Sequence, residues 1–201
     1  MKEQRAGNYG FGEIIKNGIS LIYTKLFWRK ARLIRLPIRV RGKDCLTFGS
    51  GFTTGYSCRI EMNGTKVKDK LIIGNDCVIG DYAHIVANNK VVIGNGVLMA
   101  SRIFITDTNH GEYTENMDGS LPTTPPNKRP LYYKKVVIGN NVWLGENVSI
   151  LPGVIIGDGC IIGANAVVTK SIPANSIAAG NPAKVIKKYE KDTNTWRSIN
   201  K

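Results

Sequence analysis

The chain contains few of the residues that commonly bind metals. Its 201 residues include two histidines and four cysteines, and no two cysteines form a Cys-x-x-Cys pair. A catalytic zinc site made of three histidines needs more imidazoles than His84 and His110 supply. We therefore expect no metal centre, and we expect the cysteines to be reduced core residues of a cytoplasmic protein.

Long apolar runs are also missing. No stretch approaches the roughly 20 residues of a membrane-spanning helix. The N-terminus lacks the uninterrupted apolar segment and the cleavage site of a secretory signal. We therefore expect neither a membrane span nor a leader. Because 42% of the residues are hydrophobic, the chain can still bury a large core, and we expect one elongated domain.

Acidic residues are scarce relative to basic ones. The chain has 15 Asp and Glu against 28 Lys and Arg, a formal charge of +13. The basic residues crowd two segments: Arg29, Lys30, Arg32, Arg35, Arg39, Arg41 and Lys43 near the front, and Lys184, Lys187, Lys188 and Lys191 near the end. Such an excess indicates an anionic partner or serves solubility. No nucleic-acid-binding motif accompanies it, and the aromatic residues do not alternate with the basic ones, so we expect no nucleic acid partner.

The chain does have a six-residue repeat. Aliphatic residues recur at Ile138, Leu144, Ile150, Ile156, Ile162 and Val168, and a second small or apolar residue follows each by four positions, at Val142, Val148, Val154, Cys160, Ala166 and Ile172. A helix of 3.6 residues per turn cannot keep this period on one face. Short strands that bend every six residues, three to a coil, can. The repeat therefore predicts a parallel β-helix.

The repeat divides the chain into three segments. Residues 1–37 form a basic, amphipathic N-terminal segment with helical spacing of apolar residues from Glu13 to Leu36. This predicted helix either packs on the first coil or lies on an anionic membrane surface. Residues 38–179 form the β-helix domain. Residues 180–201 form a C-terminal extension, with a short basic strand or helix and a loose tail over the last ten residues.

A long insertion interrupts the repeat at residues 106–135. It is rich in Pro, Asn, Asp and Thr and has no core periodicity, yet the repeat resumes at Ile138. Since coils stack on both sides of it, the insertion must leave the β-helix sideways from one corner. A loop of this length inside a compact array is typically functional or disordered.

Two residues stand out because core packing does not require them. His110 lies early in the insertion, and Asp107 or Glu112 is positioned to accept a hydrogen bond from one ring nitrogen, which would leave the other as a base. Trp143 takes an outward corner position, where a ligand or another subunit should cover it. His84 also points outward, and we expect it to be solvated or in a subunit contact.

Residues 138–187, IGNNVWLGENVSILPGVIIGDGCIIGANAVVTKSIPANSIAAGNPAKVIK, resemble the hexapeptide-repeat acetyltransferases. The resemblance begins near Leu71. It is to the branch that contains galactoside, maltose and nodulation-factor acetyltransferases and the O-acetyltransferases of O-antigen and capsule. It implies a mainly β fold, a left-handed parallel β-helix with an extruded loop and an N-terminal helix. It also implies a homotrimer with active sites between subunits and acetyl-CoA as co-substrate along the outside of the coils, with no permanently bound cofactor.

The resemblance also implies roles for individual residues. His110 matches the catalytic base and Trp143 the tryptophan beside the thiol end of the cofactor. Asp107 is a candidate for orienting the base because of its position in the sequence, three residues before His110. The CoA-contacting positions fall on Trp143, Gly145, Glu146, Ala164, Thr169, Lys170, Lys184 and Lys187. Asn88 and Asp81 are candidates for binding the acceptor. The loop between His110 and Trp143 is longer here than in the galactoside branch, and that branch's acceptor-binding asparagine has no clear match.

The predicted activity is transfer of an acetyl group from acetyl-CoA to a sugar hydroxyl. The acceptor would be a saccharide precursor of O-antigen, capsule or exopolysaccharide, handled in the cytoplasm with peripheral contact at the inner face of the membrane. His110 would act as general base in a direct attack, and backbone N–H groups around Gly145 would stabilise the oxyanion. Two alternatives stay open: N-acetylation of a nucleotide-linked amino sugar, and a non-catalytic β-helix.

Overall fold

A computed structural model describes residues 9–64, 67–113 and 120–199. Within them, one helix precedes a series of short strands. The elements are α1 Phe11–Phe27, β1 Leu33–Ile34, β2 Ile38–Arg41, β3 Leu46–Phe48, β4 Thr53–Thr54, β5 Cys58–Glu61, β6 Leu71–Ile73, β7 Val78–Ile79, β8 His84–Val86, β9 Val91–Ile93, β10 Leu98–Met99, β11 Phe104–Thr106, β12 Thr108–His110, β13 Leu131–Tyr133, β14 Val136–Ile138, β15 Trp143–Leu144, β16 Ser149–Ile150, β17 Ile155–Ile156, β18 Ile161–Ile162, β19 Val167–Val168, β20 Ser176–Ala179, β21 Lys184–Glu190 and β22 Thr195–Ser198, with 3-10 turns at Lys43–Cys45 and Pro126–Lys128. The parts of the predicted segments at 1–8, 65–66, 114–119 and 200–201 lie outside the described residues.

Three parallel sheets form the walls of the molecule. Face A contains β1, β4, β7, β10, β15, β18 and β20; face B contains β2, β5, β8, β11, β16 and β19; face C contains β3, β6, β9, β14 and β17. Each coil visits A, B and C in turn, so the chain winds around a triangular core. This arrangement, with its N-terminal helix and the insertion, confirms the predicted left-handed parallel β-helix.

The two apolar positions of each six-residue unit fill the core. The aliphatic residues that open the units and the smaller residues that follow four positions later are at most 4% exposed from Ile138 to Ile172. Cys58, Cys77 and Cys160 occupy the smaller positions and are buried, as predicted. The core extends through every coil because each inward residue stacks on its partner one strand spacing, about 4.8 Å, away.

The β-helix begins before residue 38, and the predicted helix is shorter than expected. Helix α1 ends at Phe27, whereas Leu33–Ile34 is a strand that pairs in parallel with Thr53–Thr54. The apolar residues at Leu33 and Ile34 therefore belong to the first coil and not to a helix reaching Leu36. Helical and hexapeptide spacing both place apolar residues here, so the pattern alone could not separate them.

Helix α1 packs with its polar side. Ser20 and Thr24 are fully buried, and Thr24 Oγ1 and Ser20 Oγ accept the backbone N–H groups of Ile34 at 2.8 Å and Leu36 at 3.1 Å. The first coil has no preceding coil to accept these donors, so the side chains of α1 take that role. The helix consequently turns its apolar side outward. It is not long and apolar enough to cross a bilayer, nor is any other helix in the described ranges.

The two ends of the β-helix differ. At the start, buried Trp28 packs on Phe48, which packs on Phe52, with ring centroids 5.3 and 5.8 Å apart. At the other end, β21 and β22 add to face A as antiparallel strands after β20. The predicted basic strand is therefore present at Lys184–Glu190, but the expectation of a loose tail is wrong for Thr195–Ser198, which pairs with that strand.

Polar side chains tie the coils together at the corner between faces C and A. The side-chain oxygens of Asn75, Asn95, Asn140 and Asp158 each accept the backbone N–H of the preceding coil, from Ser50 through Asn140, at 2.7–2.9 Å. The repeated Ile-Gly-Asn and Ile-Gly-Asp sequences supply these residues. Each turn thus satisfies a donor that the strands leave unpaired.

Candidate active site

The insertion leaves the β-helix at the edge between faces B and C. Strand β11 belongs to face B, β14 belongs to face C, and between them β12 and β13 pair as an antiparallel hairpin. His110 ends β12, directly opposite Leu131. The sideways extrusion predicted from the sequence is therefore present, and it places His110 outside the triangular core.

Asp107 anchors the insertion and does not orient His110. Its carboxylate is fully buried and accepts the backbone N–H groups of Asn88, Asn89 and Lys90 at 3.0, 2.8 and 2.7 Å. It also accepts the Thr108 hydroxyl at 2.7 Å. The expected hydrogen bond from the imidazole N–H to Asp107 is absent, because the turn of the previous coil uses both carboxylate oxygens. Glu112 remains a prediction as the partner of His110.

A second group of contacts shapes the hairpin from the outside. The Tyr113 hydroxyl donates to the backbone carbonyl of His110 at 2.6 Å. Arg129 donates to that hydroxyl at 2.6 Å and to the carbonyls of Thr124 and Pro122 at 2.8 and 3.2 Å. These contacts involve only the backbone carbonyl of His110, so its imidazole remains exposed.

The exposed imidazole of His110 lines a cleft of about 530 Å³ between the hairpin and face B. The cleft also contains Asn63, His84, Val86, Asn88, Phe104, Thr106, Thr108, Asn109, Leu131 and Leu151. Within residues 9–64, 67–113 and 120–199, neither ring nitrogen of His110 is hydrogen bonded. The cleft has mixed polar and apolar walls, which suits a molecule with hydroxyl groups and carbon faces.

The two acceptor-binding candidates separate in the structure. Asn88 lines the cleft of His110, where its amide donates to Thr108 Oγ1 at 3.0 Å and its oxygen accepts the Asn63 N–H at 2.9 Å. Asp81 does not. It lies at the edge between faces A and B, where Oδ1 accepts the Tyr56 N–H at 2.7 Å. Within one chain, Asp81 is therefore a coil-corner residue rather than a neighbour of His110.

The sequence analysis missed an ionic cluster beside the cleft. Glu61 points outward from face B yet its side chain is only 5% exposed, because Arg41, Arg59 and His84 surround it at 2.9, 2.7 and 3.2 Å. The Arg41 contact lacks hydrogen-bond geometry. Burial alone would raise the pKa of Glu61, but hydrogen bonds from Arg59 and His84 and the charges of Arg59 and Arg41 outweigh it, so the pKa is lowered. The alternation of charged with apolar residues on β2 and β5 was the sequence feature that could have revealed this cluster.

Trp143 lies on a different wall from His110. It points outward from face A, 50% exposed, and stands in register between Leu98 and Ile161. Leu98 is 47% exposed, so the two side chains form an apolar surface. The hairpin of His110 leaves at the edge between faces B and C. One chain therefore does not bring Trp143 and His110 together.

The glycine at 145 serves coil stacking. Its N–H donates to the Ile162 carbonyl at 2.8 Å, and a Cβ there would lie 2.7 Å from the Ala164 nitrogen. The Gly145 N–H is therefore used between coils and is not a free oxyanion donor, while the expectation that N–H groups around Gly145 stabilise the oxyanion stays a prediction. The next amide differs. Among the described residues the Glu146 N–H has no acceptor, because Ala164 above it lacks a polar side chain.

Glu146 itself joins two coils. Its carboxylate accepts the Ser101 N–H at 3.0 Å and lies 3.7 Å from Arg102 Nη1. Ala164 is exposed directly above it. These corner residues adjoin the edge of face A that carries Trp143. Their contact with CoA stays a prediction.

The lysines of the cofactor prediction occupy two places. Lys184 and Lys187 lie on β21, and register relates Lys187 through Ile177 and Ile161 to Trp143. Three strand spacings separate Lys187 from Trp143, about 14 Å. Thr169 and Lys170 are exposed at the edge between faces B and C. The predicted cofactor residues thus fall on one wall and on the edge opposite it.

None of the four cysteines is placed to act as a nucleophile. All are free and buried. Burial raises the pKa of Cys58 to about 11 and also raises the pKa of Cys77 and Cys160. A thiol that stays protonated and is shielded from solvent is a poor nucleophile.

Comparisons with known proteins agree with this architecture. Residues 135–170 match the family model "Bacterial transferase hexapeptide (six repeats)". The chain is 42% identical over 193 residues to WbbJ of Escherichia coli K12, a candidate lipopolysaccharide biosynthesis O-acetyl transferase, and the match covers 96% of this chain and 95% of WbbJ. It is 41% identical over 104 residues to the galactoside O-acetyltransferase of that strain, covering 51% and 46%.

A solved structure supports the same fold. The hexapeptide-repeat acetyltransferase VCA0836 of Vibrio cholerae, complexed with acetyl-CoA, superimposes with a TM-score of 0.53 at 21% identity and covers 81% of this chain and 69% of that one. The near full-length match to WbbJ carries the relationship further than the fold. The chain therefore belongs to the hexapeptide-repeat acetyltransferases.

Proposed function

We propose that this acetyltransferase moves the acetyl group of acetyl-CoA onto a hydroxyl of a saccharide, with His110 as general base. The observation that carries the proposal is the imidazole of His110, which lines a cleft of about 530 Å³ without a hydrogen-bond partner in the described ranges. A base needs a free ring nitrogen within reach of the attacking hydroxyl. Because the chain belongs to the hexapeptide-repeat acetyltransferases, acetyl-CoA is the thioester donor in this proposal.

The transfer needs no covalent enzyme intermediate. The acceptor oxygen attacks the thioester carbonyl carbon while a ring nitrogen of His110 takes the hydroxyl proton. The tetrahedral intermediate then collapses, the C–S bond breaks, and the CoA thiolate receives that proton from His110. The burial of the cysteines and the raised pKa of Cys58, Cys77 and Cys160 support direct transfer over an acyl-enzyme. The free amide of Glu146 is a candidate contact for CoA.

We propose that the active site forms between copies in a homotrimer. Trp143 on face A and His110 at the opposite edge can meet only if the face A of one copy lies beside the hairpin of the next. Cyclic assembly places the same two surfaces together at every interface. The exposed apolar surface of Leu98 and Trp143 supports this arrangement, since it would otherwise contact water.

The same arrangement gives acetyl-CoA a continuous path. Along face A the cofactor would run from Trp143, beside the thioester, past Gly145, Glu146 and Ala164 to Lys184 and Lys187, whose ammonium groups suit its phosphates. The roughly 14 Å between Trp143 and Lys187 fits an extended pantetheine arm. Thr169 and Lys170 would join the site from the neighbouring copy.

The acceptor is proposed to be a precursor of a surface polysaccharide. The support is the 42% identity over nearly the whole chain to WbbJ, whose name places it in lipopolysaccharide biosynthesis. Asn88 would contact the sugar in the cleft of His110. N-acetylation of an amino sugar is the competing reaction, and a matched pair of acceptors that differ only in hydroxyl or amino group distinguishes the two.

Contact with the inner face of the membrane is part of this proposal. The outward side of α1 carries an apolar stripe, 48–80% exposed, of Phe11, Ile14, Ile15, Ile19, Ile22 and Leu26. Exposed Lys16, Lys25, Arg29 and Lys30 accompany it. A lipid surface with anionic headgroups accepts both features, because lysines inside an apolar stripe can extend their ammonium groups to the headgroups.

The central test is the His110→Ala variant. With acetyl-CoA and a panel of acceptor saccharides, we expect kcat to fall on the order of a hundredfold or more, because the proton acceptor is lost. CoA release measures turnover, and calorimetry should show acetyl-CoA binding little changed. His84→Ala is the matched control and should retain more activity. Wild-type-like turnover in His110→Ala would remove His110 from the mechanism.

A further inference from the structure

Face B carries a column of two arginines, Arg39 and Arg59, on the strands that precede the cleft of His110. Strand register places Arg39 beside Arg59, Arg59 beside His84, and His84 beside Phe104. Arg41 stands beside Glu61 in the adjacent outward column. Directly paired residues on neighbouring strands have side chains on the same side of the sheet. The guanidinium groups of Arg39 and Arg59 therefore share one surface.

This surface is short of negative charge. Glu61 contacts Arg41 and Arg59, so one carboxylate serves two arginines. Arg39 is exposed and has no ion pair within the described ranges. Like charges directly opposite each other in a sheet are unfavourable. Three arginines around one acid leave an unmatched positive charge that an external anion would balance.

The arginine column continues into the cleft. His84 and Phe104, the next residues in the same column, line the cleft with His110. One strand spacing separates Arg59 from His84 and two separate Arg39 from it, about 5 and 10 Å. A ligand that presents a hydroxyl to His110 can therefore extend along face B to the arginines.

We propose that the arginine column of Arg39 and Arg59, together with Arg41 in the adjacent column, binds a diphosphate attached to the acceptor saccharide. This inference rests on the proposed function and narrows its substrate class to a carrier-linked, anionic sugar. The planar guanidinium group suits bidentate contact with phosphate oxygens. Glu61, buried among its partners, holds Arg41 and Arg59 in place, while Arg39 keeps all its donors for the ligand. A nucleoside diphosphate and a lipid diphosphate offer the same chemistry.

Binding of inorganic pyrophosphate tests the subsite without relying on catalysis. The full-length protein, saturated with CoA to fill the cofactor's own phosphate sites, is titrated by calorimetry. We expect Arg39→Gln, and the charge-balanced double variant Arg59→Gln with Glu61→Gln, to bind pyrophosphate at least about 10-fold more weakly than wild type. Arg32→Gln, which removes a cation at the opposite corner beside Asp76, is the matched control and should bind like wild type.

Acetyl transfer distinguishes the source of the diphosphate. One saccharide is supplied free, linked to a nucleoside diphosphate, and linked to a short prenyl diphosphate. The arginine variants should lose about 10-fold in kcat/KM for a diphosphate-linked acceptor and little for the free sugar. The preferred carrier identifies the source.

Three results would overturn the subsite: no pyrophosphate binding to wild type, equal binding by all variants, or dissociation of the oligomer in the arginine variants, which would assign the arginines to a subunit contact. Absence of acetyl transfer to any saccharide would instead count against the proposed function. The pyrophosphate titration would still decide the subsite.

Discussion

Glu61 shows how a residue on the outer surface of a β-helix can be both charged and buried. Its side chain is 5% exposed although it points away from the core, because two arginines and His84 cover it. The net lowering of its pKa means that the folded protein favours the carboxylate more than the unfolded chain does. The stabilising effect of this ionised group is present above the ordinary pKa of about 4.5 and is lost as pH falls through the lowered value.

We predict that Glu61→Gln is less thermostable than wild type near pH 7. The difference in Tm should shrink as the pH is lowered below about 4.5, because the unfolded chain binds the proton there and the folded carboxylate binds it only at the lowered pKa. Scanning calorimetry from pH 7 to pH 3 measures it. Glu190→Gln is the control, since its ion pair with Arg197 is exposed and worth little. A Tm difference that stays constant over this range would contradict the prediction.

At the residue scale, the sequence indicates isolated candidate residues more readily than it indicates their neighbours. His110 was identified because no packing pattern requires an imidazole at that position. Asp107 was assigned to His110 because it lies three residues away, but its carboxylate bonds to the turn at residues 88–90. That turn belongs to the previous coil. Contacts between coils depend on which turns stack, and the sequence distance between two residues does not reveal this.

Helix α1 reverses the usual amphipathic arrangement of a surface helix. Its buried side is polar because β1 and the residues after it need hydrogen-bond acceptors that no earlier coil provides. The spacing of the isoleucines predicted an amphipathic helix but could not show which side would pack. The sequence contained that information only in Ser20 and Thr24, which are unremarkable until the first coil is located.

We predict that the apolar stripe of α1 makes the protein bind anionic vesicles. Co-sedimentation should be strong with vesicles that contain phosphatidylglycerol and weak with phosphatidylcholine alone. The double variant Ile15→Ser with Ile22→Ser should lose most of this binding, since it removes two large side chains from the stripe. Ile199→Ser, a similarly exposed isoleucine at the far end of the chain, should bind like wild type. Equal binding by both variants would assign the stripe to another contact.

The six-residue period predicted the core of the β-helix because each unit must bury the same two positions. The hydrogen bonds at the corners were harder to predict from the sequence. The asparagine ladder from Asn75 to Asn140 uses the residue after each Gly, and a reader of the sequence sees Ile-Gly-Asn only as turn composition. The ladder follows once coils are stacked, since each oxygen then lies over the N–H of its neighbour.

At the scale of the whole molecule, the main features of the proposed site lie on separate walls. Trp143 and the lysines of β21 are on face A, while His110, Asn88 and the arginine column are on face B and its edge with face C. Under the proposed function, a single copy therefore does not bring the two halves of the site together. The assembly is therefore expected to be required for activity.

We predict that His110→Ala and Trp143→Ala complement each other. Each variant alone should be poorly active. Mixed trimers from equal co-expression should recover about a quarter of wild-type activity, because random assembly pairs an intact His110 with an intact neighbouring Trp143 at that frequency. CoA release measures the recovery, and separately purified variants mixed without subunit exchange are the control. No recovery in verified mixed trimers would place both residues in the same copy's site.

The hairpin of β12 and β13 leaves the β-helix between β11 and β14. Those two strands still pair with the preceding coil, β11 with β8 and β14 with β9. Its length and composition can therefore change with little disturbance to the hydrogen bonds beneath it. Under the proposed function, the share of acceptor recognition that belongs to the hairpin can thus change by exchange of one segment, while the coils that carry Asn88 and the arginines stay the same.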